Sequence, residues 1–158
     1  MLLTGLLPDI TSDPAIETAT DSLEVGRSGT IVAPVGIRPP LLAAVATRAA
    51  TPLVVLTATG RDAETLTNAL ASWIPGVAML PAWETLPHER LSPQVDTMAR
   101  RIAVLRRLVH PIAGDESAGP ISVLVVPIRA FLQPIISGLA DLEPVRVRTG
   151  DILDLTDA

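Results

Sequence analysis

Residues 80–108, LPAWETLPHERLSPQVDTMARRIAVLRRL, fall into two unlike halves. The first, 80–93, is a loop punctuated by prolines. It holds one of the two tryptophans, two glutamates and one of the two histidines. The second, 94–108, has the spacing of a helix. Val95, Met98, Ile102, Leu105 and Val109 recur at intervals of three and four and share one face. Arg100, Arg101, Arg106 and Arg107 fall off that stripe, which directs them toward solvent. Pro93 suits the first helical turn, where a missing N–H costs nothing, and Ser92 offers a cap. An apolar run, a fixed loop and an amphipathic helix together form one step of an α/β alternation.

The same step repeats on either side. Residues 30–33 are a short β-branched run ending in Pro34-Val35-Gly36, which predicts a first buried strand. An alanine-rich helix over 39–50 follows, with proline at its start. LVVLT at 53–57 predicts a second strand. Thr59-Gly60 turns, Asp62 caps a helix over 62–73, and Leu66, Leu70 and Trp73 form its inner stripe. Pro75-Gly76 ends that helix, and 77–80 is the third strand. Downstream, 110–120 reads as a flexible polar loop, 121–126 as a fourth strand, and 128–136 as a helix interrupted or ended at Pro134. Residues 145–148 alternate apolar and basic, as an edge strand does. A short helix is expected over 15–23. Continuous apolar strands alternating with helices predict an α/β fold, a mostly parallel sheet with helices on both faces.

Composition narrows the chemistry. The 48% apolar share is ample for a core, but with one Phe, two Trp and no Tyr that core must be aliphatic. A net charge of -5 argues against binding nucleic acid over the whole surface. The absence of cysteine excludes disulfides and thiolate metal sites. All 12 basic residues are arginines, so catalytic lysines and the phosphate-binding lysine of a P-loop are missing. No apolar run is long enough to cross a bilayer, and the N-terminus lacks the positive start and cleavage site of a signal peptide. The expected location is cytoplasmic, with no membrane partner.

The central stretch resembles the N-terminal part of bacterial transcription-repair coupling factors (Mfd). The resemblance is carried by Trp83, Glu84, Thr85, Leu86 and Pro87, then Ser92 and Pro93, then Asp96 before the helix. It continues through VLVVPIRAFLQ at 123–133, similar to that family's next strand and helix, and covers roughly residues 28–150. It implies a first domain like that of the excision-repair helicase UvrB, with a degenerate P-loop-like site that has lost its nucleotide. The implied division is an N-terminal arm at 1–27, a UvrB-like α/β domain at 28–143, and the start of a second domain at 144–158. The chain then reads as part of a much longer one.

Three motifs have competing readings. Val35, Gly36, Ile37, Arg38, Pro39 and Pro40 stand where a P-loop would cradle phosphate. The lysine and hydroxyl are lacking, and Pro39 and Pro40 remove two N–H donors. No cofactor is expected there. Glu84, Glu89, His88 and Asp96 could be read as an acid–base cluster, but no spacing sets them for catalysis. No G-x-S-x-G elbow is present, which leaves a hydrolase triad without support. The arginines Arg100, Arg101, Arg106 and Arg107 suit DNA phosphates, a simply solvated face, or docking against another domain of the same chain.

The resulting expectation is a non-catalytic module. By resemblance, the full protein displaces stalled RNA polymerase using ATP and recruits UvrA, the latter mainly through the following domain. Polymerase and DNA would be held by later parts of the chain. Two alternatives remain: a nucleotide-dependent α/β enzyme domain, and a free-standing adaptor domain.

Overall fold

The computed structural model describes residues 2–21, 28–84, 92, 94–115 and 117–143. In chain order the elements are α1 (Leu7–Thr11), α2 (Pro14–Asp21), α3 (Arg38–Arg48), β1 (Leu53–Thr57), α4 (Gly60–Ala71), β2 (Val77–Met79), α5 (Val95–Val109), β3 (Val123–Pro127) and α6 (Ile128–Phe131). Single 3-10 turns precede α1 and α3, and another follows α6 at Leu139–Asp141.

The three strands form one all-parallel sheet in the order β1-β3-β2. The α/β architecture read from the sequence is therefore present. The register aligns Leu53 with Val123 and Val77, and Val55 with Val125 and Met79, so these six share one face. Val54, Leu124 and Ala78 point to the other, as do Leu56 and Val126. The connection from β1 to β2 passes over β3, whereas β2 to β3 runs back. Right-handed crossovers place helices on opposite faces when the direction reverses. Accordingly, α4 packs Ala63 and Leu70 on the first face, together with Ala43 and Ala46 of α3 and Leu7 of α1. On the second face, α5 and α6 pack Val104 and Ala130 against Ala78, Leu124 and Val126. Alanines lie where helix meets sheet because a close-packed interior with few aromatics is filled by bringing backbones near each other.

The N-terminal arm, as far as residue 21, is docked. Leu7 is in the first-face core, the Leu3 N–H donates to the Ser72 carbonyl at 2.6 Å, and the Thr4 hydroxyl donates to the Trp73 carbonyl at 3.0 Å.

Several expected elements differ. Residues 30–33 are not a buried strand: they pair with nothing in the sheet, and Val32 is 95% exposed. A β-branched run without a ladder partner gains nothing from extension, and Pro34 withholds a donor at its end. Thr59, not Asp62, caps α4. Its Oγ1 accepts the Asp62 N–H at 3.1 Å while its hydroxyl donates to the Asp62 carboxylate at 2.7 Å. The helix expected over 128–136 stops at Phe131, because Pro134 disfavours helical geometry before it and the Gln133 side chain is engaged elsewhere. The loop at 110–120 is tied down: Asp115 Oδ1 accepts from the backbone N–H groups of Ser117 and Ala118 at 2.8 and 2.9 Å. The edge strand at 145–148 and the second-domain start at 144–158 lie outside the described residues.

Helix α5 is rotated from the expected orientation. Its buried face is Thr97, Arg101, Val104 and Leu105. Of the apolar stripe, Val95, Met98 and Val109 are exposed and only Leu105 is buried. Gln94 is the N-cap and makes no side-chain cap bond, so Ser92 does not serve as one.

Candidate functional site

The loop leaving β2 is fixed carbonyl by carbonyl. The Leu80 N–H continues the ladder by donating to the Val125 carbonyl at 3.0 Å. Beyond it, the Pro81 carbonyl accepts from Arg101 Nη1 at 2.6 Å. Gln133 takes Trp83 by both backbone groups: its Oε1 accepts the Trp83 N–H at 2.8 Å and its Nε2 donates to the Trp83 carbonyl at 3.3 Å. Arg129 Nη2 donates to the Glu84 carbonyl at 3.2 Å. An irregular segment must find partners for its backbone groups one by one, and here α5 and the α6 turn provide them.

Side chains complete the junction. Arg101 has no accessible surface, and its guanidinium stacks on the half-buried Trp83 ring. Burial lowers its pKa, though an arginine stays charged throughout the accessible range. Its Nε lacks a hydrogen-bond partner, and among the described residues no carboxylate forms an ion pair with it. The cation is thus held by one carbonyl and one π face. The Thr97 hydroxyl, one turn earlier on α5, donates to the Glu84 carboxylate. That bond is the chief reason the Glu84 carboxyl lies below its ordinary range. Bonds from the Glu84 and Gln94 backbone and the more distant Arg129 charge add to it, and desolvation opposes it.

Of the family-motif residues, Trp83 and Glu84 are drawn into this junction. Asp96 instead pairs with Arg100 at 2.9 Å on the surface of α5, and Ser92 is exposed. Thr85, Leu86, Pro87 and Pro93 lie outside the described residues, as do His88 and Glu89. The described half of the supposed acid–base cluster is therefore split, with Glu84 and Asp96 each facing its own partner. No group of three or more acidic or histidine side chains among the described residues is placed to hold a metal ion.

The arginine face also changes character. Arg101 points inward, contrary to its expected exposure. Arg106 donates to the Leu142 carbonyl at 3.1 Å and lies 3.5 Å from the Glu143 carboxylate, and Arg107 donates to the Gly119 carbonyl at 2.8 Å. Long guanidinium stems cover apolar surface while their heads find carbonyls. Sequence reasoning missed Gln133, Arg129 and Thr97, which no periodicity marks out. Arg129 and Gln133 lie in the family-like stretch 123–133 without being singled out there, and Pro134 after it ends the helix and frees Gln133 to turn back.

At the phosphate position, Val35–Ile37 form a 3-10 turn leading into α3, with Pro39 and Pro40 in its first turn and Arg38 Nε donating to the Ala33 carbonyl at 3.5 Å. A Cβ placed on Gly36 would meet nothing within 4 Å, so packing does not demand a glycine there. No described helix is long and apolar enough to cross a membrane.

Fold and junction together define an open, all-parallel α/β domain in which residues 81–84, leaving β2, are held by α5 and the α6 turn. No family model matches the chain. Over 124 residues, 77% of its length, it is 47% identical to the transcription-repair-coupling factors of Mycobacterium bovis and Mycobacterium tuberculosis. The chain spans about 10% of the length of those relatives.

Proposed function

We propose that the chain is a non-catalytic, UvrB-like N-terminal module of a transcription-repair-coupling factor. The 47% identity to the two mycobacterial factors carries this reading. In it, the whole protein displaces stalled RNA polymerase at the expense of ATP and recruits UvrA, and this module positions the surface that does the recruiting. Two features support a module without chemistry of its own. The turn before α3 has neither lysine nor hydroxyl and puts two prolines where phosphate would need N–H donors. The arginines of α5 are spent largely on intrachain carbonyls and carboxylates rather than left for DNA.

A segment exchange tests the reading. The matching segment of the Mycobacterium tuberculosis factor is replaced by residues 28–143, and the chimera is assayed for polymerase displacement and for survival of ultraviolet damage. Retention of both is expected. A stable chimera that loses both would defeat the reading. Titration of the 158-residue chain with Mg-ATP should give no heat of binding; clear saturation would restore the nucleotide-dependent enzyme alternative.

A further inference from the structure

Among the described residues, the second face of the sheet is well covered over β2 and β3 and left largely open over β1. Leu124 and Val126 of β3 are 6% and 2% exposed beneath α5 and α6. Their register partners on β1, Val54 and Leu56, are 51% and 47% exposed although they point the same way. At the C-terminal end of that strip lie Ile128 and Phe131 of α6, a helix that packs on both β1 and β3. Both are exposed, and Phe131 is the chain's single phenylalanine. The first face has no such gap, because Leu53 and Val55 pack into its core.

Parallel sheets are stable with both faces covered. One helix, about 10 Å across, covers about two strands spaced about 4.8 Å apart. Helix α5 is used on β3 and β2, so β1 lies at its margin, and among the described residues only the short α6 reaches β1 from that side. The floor and end of the strip are purely aliphatic and aromatic, so a charged partner would be desolvated there without compensation. The matched 124 residues are 10% of each mycobacterial relative, so those proteins are far longer than the chain. We propose that the strip floored by Val54 and Leu56 and closed by Ile128 and Phe131 seats an aliphatic helix from the remainder of the same long polypeptide. This rests on the module reading above. The seat joins the domain to the rest of the protein through its sheet face, while the arginines of α5 stay with their intrachain partners.

The absence of cysteine makes a thiol probe clean. Val54→Cys, Phe131→Cys and, as a control on exposed α4, Glu64→Cys are made in the 158-residue chain and in the full polypeptide encoded by its gene. Maleimide labelling is read at each peptide by mass spectrometry. All three thiols should label quickly in the 158-residue chain. In the monomeric full polypeptide, Val54→Cys and Phe131→Cys should label at least about tenfold more slowly, because a covered thiol waits for local opening, while Glu64→Cys is unchanged. Equal labelling of Val54→Cys in both chains overturns the proposal. So does protection already present in the 158-residue chain and lost on dilution, which would make a second copy the occupant. A reading frame that closes at Ala158 defeats the module reading itself, whatever the labelling shows.

Discussion

The guanidinium carbon of Arg101 lies 4.5 Å from the centroid of the Trp83 ring. One residue is on the inward face of α5 and the other on the segment leaving β2, so their contact ties residues around Trp83 to that helix. The arginine is fully buried and has one carbonyl partner.

That geometry predicts how Arg101 variants rank. Arg101→Ala removes a long buried stem and opens a cavity, and should cost about 2–5 kcal/mol, as truncation of a comparable apolar side chain does. Arg101→Met keeps most of the volume and abolishes the cost of a buried unpaired charge. Replacing buried ions with apolar groups of similar volume is often neutral, so the methionine variant should stay within about 1 kcal/mol of the parent. Urea denaturation of both checks this. An alanine variant as stable as the methionine one would mean the site collapses without strain.

Trp83 is half-buried, with its backbone fixed independently of its ring by Gln133. Trp83→Ala should therefore destabilise without releasing the loop, and Trp83→Phe should retain part of the stacking. The double-mutant cycle of Trp83→Ala with Arg101→Met isolates the cation–π contact, expected at about 0.5–2 kcal/mol for a desolvated pair. A coupling near zero would show that the ring merely shields the arginine from water.

What was legible in the sequence follows from what each signal measures. The strands at 53–57, 77–79 and 123–127 were readable because continuous apolar runs of that length fit a sheet covered on both faces. Residues 30–33 carry the same composition and form no strand, since composition cannot report whether a neighbour offers a ladder edge. The α5 stripe misled for a related reason. Periodicity counts apolar residues, and Val95, Met98 and Val109 satisfied it while remaining exposed. A buried arginine on a π face is invisible to that count. The Trp83–Glu84 portion of the motif was found in the sequence. Its clamps, Gln133, Arg129 and Thr97, come from elsewhere in the chain and become neighbours only after the crossovers close.

The turn into β2 depends on one glycine. Gly76 has φ +74°, and a Cβ there would lie 2.8 Å from Ser122 Oγ and 2.9 Å from the Pro120 carbonyl. Its own carbonyl accepts the Ser122 N–H at 2.8 Å, so the contact with the segment entering β3 cannot simply open. Gly76→Ala combines left-handed strain with a backbone clash, and should cost about 2 kcal/mol or more. Gly36→Ala is the control: its φ is ordinary and the space around it is open. That substitution should change stability by no more than about 0.5 kcal/mol. Thermal unfolding of the two variants side by side separates conformational strain from a general effect of glycine replacement.

The last prediction concerns acid stability. The Glu84 carboxyl is held below its ordinary value of 4.5, first of all by the Thr97 hydroxyl. A carboxyl with a depressed folded-state pKa stabilises the fold above its unfolded-state value, and that contribution disappears as pH falls through the folded-state value. Glu84 should thus contribute to the fold at neutral pH, and its contribution should fade on acidification below about 4.5. Thr97→Val deletes the main donor while keeping the shape of a buried β-branched residue. The Glu84 titration, followed by carbon-13 NMR of its carboxyl, should move upward, and the acid limb of the stability curve should become shallower. Thr97→Ser keeps the hydroxyl and should leave both in place. If Thr97→Val left the titration where it was, the backbone N–H groups of Glu84 and Gln94 would be the true hold on this carboxylate, and the loop would be anchored by its own main chain rather than by α5.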